Sequence, residues 1–375
     1  MRSEKAGLYI HVPFCLSKCA YCDFYSVKTL HLIPDYIAAV QKEMKLYRNV
    51  FSSFDSIYIG GGTPSLLAPQ YLDEIFTALN KYFIIDKNAE ITLEANPGDL
   101  SPVYLKALRD TGINRLNIGV QSFNDKILKC LGRRHSAQEA MASINAARKA
   151  GFRNLGIDLI YGVYGLGLQG WEKILQQALI LAPEHFSCYQ LSLHEKTPLH
   201  KTYLSAGWHL PDDNAELKFF LTTSEILENV GYRHYEVSNF ARKDKYTSRH
   251  NQKYWQHVPY LGLGPAANSF LNNQRWWNKA SVKRYLNAMA RGKTPVEASE
   301  TLTVNQLRLE ALFLGLRCKS GIDLKRFKDQ YGTDLMTEKK SIMDALMKNK
   351  LIELKNGFLC PTRSGMALAD SLALI

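Results

Sequence analysis

The sequence has no run of 18 or more uncharged apolar residues, although 46% of its 375 residues are hydrophobic. No segment is therefore long enough to cross a bilayer as a helix, and a soluble protein is expected. No secretory leader pattern opens the chain, and the seven cysteines are odd in number. Both points argue against a disulfide framework and for a reducing cytoplasm. Acidic residues are the scarcer charge, 35 against 47 basic, which leaves a net charge of +12. Such an excess favours acidic partners: nucleic acid, anionic cofactors or propionate-bearing tetrapyrroles. A solvated basic surface is the plainer reading of the charge alone.

What is present is concentrated between Leu8 and Tyr25, LYIHVPFCLSKCAYCDFY, where an apolar run leads into Cys15, Cys19 and Cys22. Two thiols at x2 spacing also suit zinc or a redox pair. Structural zinc wants four ligands, however, and Cys130, Cys188, Cys318 and Cys360 lie far apart in sequence. Three crowded thiolates can instead hold an iron–sulfur cubane and leave its fourth iron open to another ligand. The spacing C-x3-C-x2-C resembles that of radical S-adenosylmethionine (SAM) proteins, which implies a [4Fe–4S] cluster whose open iron is chelated by SAM.

From residue 7 onward, apolar β-rich runs alternate with stretches of helical period, the pattern of βα units around a parallel sheet or barrel. Strands are predicted near Leu8–Val12, Ser56–Ile59, Glu90–Glu94, Arg115–Val120, Leu155–Tyr161, Phe186–Leu193 and Tyr232–Val237. Helices are predicted over Pro34–Phe51, Pro69–Phe83, Ser101–Thr111, Ala137–Lys149, Trp171–Leu181 and Asp212–Asn229, several opening on Pro or a capping residue.

Polar residues gather at the C-terminal ends of these strands, where barrel enzymes place their chemistry. Ile59 is followed by Gly60-Gly61-Gly62-Thr63-Pro64, and bare glycines let the backbone approach a ligand such as the SAM ammonium. Glu94 ends its strand, Gln121 follows Val120, and Asp158 interrupts an apolar run. A carboxylate inside a strand points to a cationic or hydroxyl-rich ligand, or else to a salt bridge with Arg115 or Arg153. Arg133 or Arg134 can hold a carboxylate bidentately.

Between about residues 240 and 300 the βα rhythm fades into a stretch rich in aromatics, Asn and His. A helix at His250-Asn251-Gln252-Lys253-Tyr254-Trp255 would put His250 and Tyr254 on one face, with Asn251 and Trp255 on the next. Such faces suit a flat cofactor, and an imidazole can ligate haem iron; an interface histidine among packed aromatics is the alternative. No C-x-x-C-H attachment sequence exists, because Asp23 follows Cys22. After Leu302 come three helical stretches and a hairpin around Asn356-Gly357, an order that looks like a winged-helix domain. Residues 300–375 hold twelve Lys/Arg and nine Asp/Glu, weak footing for nucleic acid.

The segments HVPFC-x3-C-x2-CDF, YIGGGTPS, EANPG, NIGVQSF, IDLIYG, HYEVSNFA and HNQKYW occur together and in order. Along essentially its whole length the chain resembles the HemW family, haem chaperones related to oxygen-independent coproporphyrinogen III dehydrogenases. That resemblance implies an α/β fold, an incomplete (β/α)6 TIM-like radical SAM barrel followed by a mainly helical, winged-helix-like C-terminal domain. The expected division is 1–240 for the barrel, 241–300 for a connecting segment carrying the HN-x2-YW motif, and 301–375 for the C-terminal domain. The family's SAM-contacting positions carry over onto Tyr9, Tyr21, Gly61, Gly62, Thr63, Glu94, Gln121, Arg133 and Asp158, besides the three cysteines, and one or two SAM molecules remain open. The HN-x2-YW motif at His250, Asn251, Tyr254 and Trp255 implies haem binding.

Two departures from the relatives matter. The dehydrogenases resemble C-x3-C-x2-C-x-C, and here Phe24 stands in the last position. The family stretch GLGPGAHS reads GLGPAANS at Gly262–Ser269, so Asn268 replaces a histidine. The resemblance thus implies a cytoplasmic protein that binds haem and passes it to an acceptor protein, with decarboxylation of a porphyrinogen as the alternative. No transmembrane segment and no nucleic-acid partner are expected; peripheral membrane contact and oligomeric state are left open.

Overall fold

The structure, a computed structural model, describes residues 5–372. Six parallel strands stand side by side in sequence order: β1 (Ala6–Val12), β2 (Ser53–Gly61), β3 (Ile84–Ala95), β4 (Arg115–Gln121), β5 (Leu155–Tyr161) and β6 (His185–Gln190). Between them run α1 (Ile33–Tyr47), α2 (Pro69–Tyr82), α3 (Pro102–Asp110), α4 (Asp125–Cys130), α5 (Ala137–Lys149) and α6 (Leu168–Ile180), and α7 (Pro198–Ala206) and α8 (Asp213–Asn229) follow β6. Ile10, Ile57, Ile59, Leu93, Leu116, Ile118, Ile157 and Leu159 are fully buried, as befits strands covered by helices on the outer face. The helix starts obey local chemistry. Pro opens α2 and is the first residue of α3, and Ser136 and Glu139 form a reciprocal capping box on α5. Trp171 of α6 is fully buried and donates from Nε1 to Thr223 Oγ1 of α8 at 2.7 Å.

The six strands do not close on themselves; the sheet continues at both edges. On the β6 side, β7 (Arg233–Glu236) and β8 (Asn239–Ala241) add antiparallel strands, β8 lying next to β6. The chain then crosses under the barrel through α9 (Arg249–Trp255), and β9 (Tyr260–Leu263) pairs parallel with β1. An antiparallel meander of β10 (Asn268–Leu271), β11 (Gln274–Asn278) and, after α10 (Val282–Ala290), β12 (Val296–Thr301) completes a twelve-stranded sheet. The aromatic-rich stretch whose βα rhythm faded is therefore largely strand. Its alternation is masked because Trp276 and Trp277 face both sides of β11, each about half-buried.

The C-terminal region has a core of its own, built on Leu312, Leu316, Phe327, Met343, Ile352 and Leu359. It comprises α11 (Val304–Gly315), β13 (Ile322–Asp323), α12 (Leu324–Tyr331), α13 (Leu335–Glu338), α14 (Lys340–Lys348), β14 (Ile352–Lys355), β15 (Phe358–Pro361), α15 (Arg363–Ala367) and α16 (Ala369–Leu372). Asn356 and Gly357 both take positive φ, 50° and 83°, the geometry of a tight hairpin turn, and helices around a three-stranded sheet give the winged-helix-like form expected. The region docks on β7 through backbone bonds, Val237 N–H to Arg317 O at 2.9 Å and Lys319 N–H to Tyr235 O at 3.0 Å.

Candidate functional site

The loop after β1 carries the three cysteines and is tied down along its length. Cys15 N–H donates to Val27 O at 3.0 Å, Ala20 N–H to Leu131 O at 3.1 Å, and Leu199 N–H to Ala20 O at 2.8 Å. The glycine triplet after β2 lies directly against this loop: Gly62 N–H reaches Val12 O at 2.8 Å and Thr63 N–H reaches Phe14 O at 2.7 Å. A Cβ on Gly62 would stand 2.6 Å from Phe14 O, and one on Gly61, at φ +108°, would stand 2.6 Å from the His11 ring. Close approach of the cysteine loop thus accounts for these glycines before any ligand is considered, a reason the sequence did not reveal.

All seven cysteines are free, and Cys15, Cys19 and Cys22 line one cavity of about 590 Å³ at the C-terminal ends of the strands. Thr63 Oγ1 donates to Cys15 Sγ at 3.3 Å, and Arg133 Nη1 to Cys19 Sγ at 3.2 Å. Burial pushes the Cys22 thiol up. Among the described residues no three His, Cys, Asp or Glu side chains are gathered to hold one metal ion. A cubane, in which each thiolate takes its own iron, needs three such thiols, whereas a structural zinc takes four ligands.

The strand ends supply the remaining wall. Glu94 accepts from Tyr58 OH at 2.7 Å and from Gly61 N–H at 3.1 Å. Burial, assisted by the charge of Asp158, raises its carboxyl to about 7. Asp158 accepts from Asn117 Nδ2 at 2.7 Å on one oxygen, while its other oxygen is buried with no hydrogen-bond partner. Burial raises its pKa as well. Arg115 instead faces Glu90 at 3.4 Å and Tyr246 O at 3.0 Å, so the salt-bridge alternative for Asp158 is not realised there. Gln121 closes β4 at φ +66°, a left-handed conformation that costs a non-glycine residue about 1–3 kcal/mol and that turns the chain at the cavity wall.

The two neighbouring arginines diverge. Arg133 reaches inward, its Nη2 donating to Asn96 Oδ1 and to Gly119 O, both at 2.7 Å. Burial opposes its charge, but Tyr21 and Cys19 outweigh that and hold its pKa up. Arg134 turns toward Asp99 at 3.1 Å with 35% of its side chain exposed. The cavity thus brings together Cys15, Cys19, Cys22, Tyr21, Gly61, Gly62, Thr63, Glu94, Gln121, Arg133 and Asp158. Sequence reasoning missed Tyr58, Asn96, Asn117 and Tyr189 in its wall, and Lys18, Asp23 and His194 at its edge. Asn117 carried the same signal as Asp158, a polar side chain inside a buried strand.

The remaining candidates are elsewhere. The HN-x2-YW motif forms α9 at the opposite end of the barrel, beneath the first residues of β1 and β2. His250 is 1% exposed; its Nδ1 hydrogen-bonds with Ser56 Oγ at 3.1 Å and its Nε2 with Tyr254 OH at 2.8 Å. The ring stacks on Tyr58 at 5.4 Å, and burial drives its pKa down to about 3. His250 and Tyr254 do share a helix face, but that face meets the barrel rather than a flat cofactor, because both ring nitrogens are engaged inside the protein. Tyr9 is not in the cavity wall either. It bonds His11 Nδ1 at 3.0 Å and packs against both Tyr58 and His250, at 6.2 and 6.4 Å, in a triangle of rings. Asn251 and Trp255, also on α9, are half-buried. Asn268 is exposed at the start of β10, paired with Trp277, and takes no part in the cavity.

The residues of the cavity fit an iron–sulfur cluster with SAM: free thiols, an orphaned carboxylate oxygen on Asp158, a second buried carboxylate on Glu94 and a buried guanidinium converge on one space. Comparison with known proteins agrees. The Radical SAM superfamily matches residues 9–178 and the HemN C-terminal domain matches residues 302–368. The chain is 33% identical to the heme chaperone HemW of Bacillus subtilis over 97% of both chains. It is 36% identical to the heme chaperone HemW of Lactococcus lactis over 88% of this chain and 86% of that one. Among solved structures, the coproporphyrinogen III oxidase HemN of Escherichia coli superposes with a TM-score of 0.86 at 23% identity, covering 99% of this chain and 90% of that one. That likeness extends the shared fold through the C-terminal domain.

Proposed function

The chain belongs to the HemW family of haem chaperones, and from that premise we propose that it binds haem and hands it to an acceptor protein in a reducing cytoplasm. Membership of the radical SAM superfamily carries with it a [4Fe–4S] cluster and SAM. The observation that carries the reading for this chain is the cavity, in which three free thiols, Glu94, Asp158 and Arg133 converge.

Cys15, Cys19 and Cys22 are the cluster ligands, and Arg133 steadies the negative charge on Cys19 from 3.2 Å. The backbone of Gly61 and Gly62, with Glu94, takes the SAM ammonium. Gln121 and Asp158 accept its ribose hydroxyls, and Arg133 faces its carboxylate. Tyr21 walls the cavity beside Arg133, and Thr63 orients Cys15. When bound, the cluster and SAM supply one-electron chemistry at the sulfonium; the protein's part is to hold, orient and desolvate them. His250, Asn251, Tyr254 and Trp255 serve haem binding by position, closing the far end of the barrel so that the cavity end keeps its shape, and Tyr9, bonded to His11 and packed on His250, supports the SAM site from beneath.

The test is anaerobic reconstitution with iron and sulfide, then titration with haem, and an assay for 5′-deoxyadenosine with coproporphyrinogen III in the same preparation. Stoichiometric haem uptake and transfer without porphyrinogen decarboxylation is expected. Decarboxylation with SAM cleavage and no haem uptake would replace the chaperone reading by a dehydrogenase, despite Phe24.

A further inference from the structure

The cavity does not end at the residues assigned to the cluster and SAM. Lys18, Asp23, Phe24 and His194 line it as well. Phe24 is 68% exposed, so one aromatic face stands bare to water beside the opening, while Tyr189 in the wall turns toward Asp158 and Glu94. An exposed phenyl ring loses the stabilisation that burial would give it and offers a surface suited to a flat apolar face. The same lining carries a histidine. His194 Nδ1 lies 3.8 Å from Asp23 Oδ2, and both side chains are 53% exposed. Its Nε2 makes no hydrogen bond among the described residues. A carboxylate within ion-pair reach of one ring nitrogen, though beyond hydrogen-bond distance, and a free second nitrogen leave the imidazole able to take a metal with Asp23 behind it.

His194 is the one histidine among the residues that line this cavity. The histidine singled out by the sequence, His250, has both nitrogens engaged with Ser56 and Tyr254. Lys18 brings positive charge to the same opening, the counterpart of a carboxylate group on a ligand, and Arg134 lies beside it paired with Asp99. An aromatic face, a free imidazole nitrogen and a lysine cation together describe a planar, iron-bearing dicarboxylate.

Resting on the chaperone reading, we propose that the haem cargo docks across the mouth of this cavity, with His194 Nε2 as its iron ligand, Asp23 orienting the imidazole and Phe24 against the macrocycle. The position also explains why Phe24 stands exposed two residues beyond Cys22: a further thiol there would compete for the haem iron.

The experiment is titration of ferric haem into the reconstituted full-length protein, followed by Soret absorption and by the axial-ligand signature in electron paramagnetic resonance. His194→Ala is expected to remove the histidine signature, and His194→Gly to regain it on addition of free imidazole. Asp23→Asn should weaken haem binding by about tenfold to about a hundredfold, the usual effect of losing a carboxylate behind a ligating histidine. Iron and sulfide content per chain serves as the control for an intact cluster loop. Unchanged affinity and signature in His194→Ala overturn the proposal, as does loss of the signature in His250→Gln with His194→Ala unaffected. A wild-type chain that takes up no haem sinks the chaperone reading itself, an outcome distinct from haem that binds without His194.

Discussion

Tyr58 donates its phenolic proton to Glu94 at 2.7 Å, which leaves a buried carboxyl at the end of β3 bonded on both oxygens and yet raised to about 7. Burial is the main cause and Asp158 adds to it, so two acids face one cavity that the Arg133 guanidinium also enters. A ligand with an ammonium group favours the charged form of Glu94 and must expel its proton when the free protein is protonated. SAM affinity is therefore expected to rise with pH up to about 7 and then level off, at most about tenfold per pH unit. Calorimetric titration across that range measures it. Glu94→Gln should bind SAM more weakly and lose the pH dependence; a wild-type affinity that is flat in pH removes Glu94 from the ligand's environment.

Arg133 and Cys19 separate the two cofactors by mutation. Cys19→Ala removes one of three thiolates and is expected to leave the reconstituted protein without a stable cluster, read as iron and sulfide per chain. Arg133→Gln removes a buried charge that binds Asn96 and Gly119 as well as Cys19. It should retain iron but lose SAM affinity by about tenfold or more, on the scale of a charge-assisted hydrogen bond of about 1.5–3 kcal/mol. Normal cluster content in Cys19→Ala, or unaltered SAM binding in Arg133→Gln, contradicts the respective assignment.

Gly62 tests the idea that the glycine triplet serves the cysteine loop. Its Cβ would meet Phe14 O at 2.6 Å and Val12 O at 2.9 Å, both backbone atoms of the loop's entry. Neither can rotate away as a side chain could. Gly62→Ala is expected to cost about 1–3 kcal/mol of stability and, because the strain falls on the segment leading to Cys15, to lower cluster retention. Gly112→Ala offers a contrast: it sits at φ +95° with open space around it, so it should destabilise the fold while sparing the cluster. Equal cluster loss in both variants would mean that general instability, not loop geometry, governs retention.

The barrel was legible because its signals are local. Leu155–Tyr161 and Ala137–Lys149 were bounded to the residue by apolar runs and a capping box, and the Asn356-Gly357 turn announced its hairpin. The cavity wall was legible for a related reason: a polar side chain at the end of a buried strand, such as Glu94 or Asp158, has nowhere to point but the barrel mouth. What the sequence hid was set by long-range contacts. The four strands on the far side of β1 from β2 come from residues 260–301, and β9 among them pairs with a segment some 250 positions earlier. His250 looked like a surface ligand because helical spacing shows which residues share a face, not which way that face turns. Ser56 and Tyr58, 194 and 192 positions away, decide that it turns inward.

That inward turn has a measurable consequence for stability. The imidazole of His250 is held neutral by burial, with its pKa down at about 3 against about 6.5 in an unfolded chain. Below about pH 6.5 the unfolded chain binds a proton that the folded protein refuses, so the stability His250 contributes is complete above that pH and is lost as the pH falls toward 3. Glu43 and Glu94, raised to about 7 by burial, act in the opposite direction between about pH 4.5 and 7, since there the folded protein holds the extra protons. The acid limb of the wild type alone is therefore a sum of opposing slopes. Comparing wild type with His250→Gln isolates the histidine. At pH 7.5 the variant should be less stable by about 1–3 kcal/mol, from hydrogen bonds to Ser56 and Tyr254 that it makes imperfectly. Below about pH 6.5 that difference should shrink by at most about 1.4 kcal/mol per pH unit. Urea unfolding at a series of pH values gives the two curves, and a difference that stays constant down to about pH 4.5 would show an imidazole that protonates in place, reachable by solvent and by ligands.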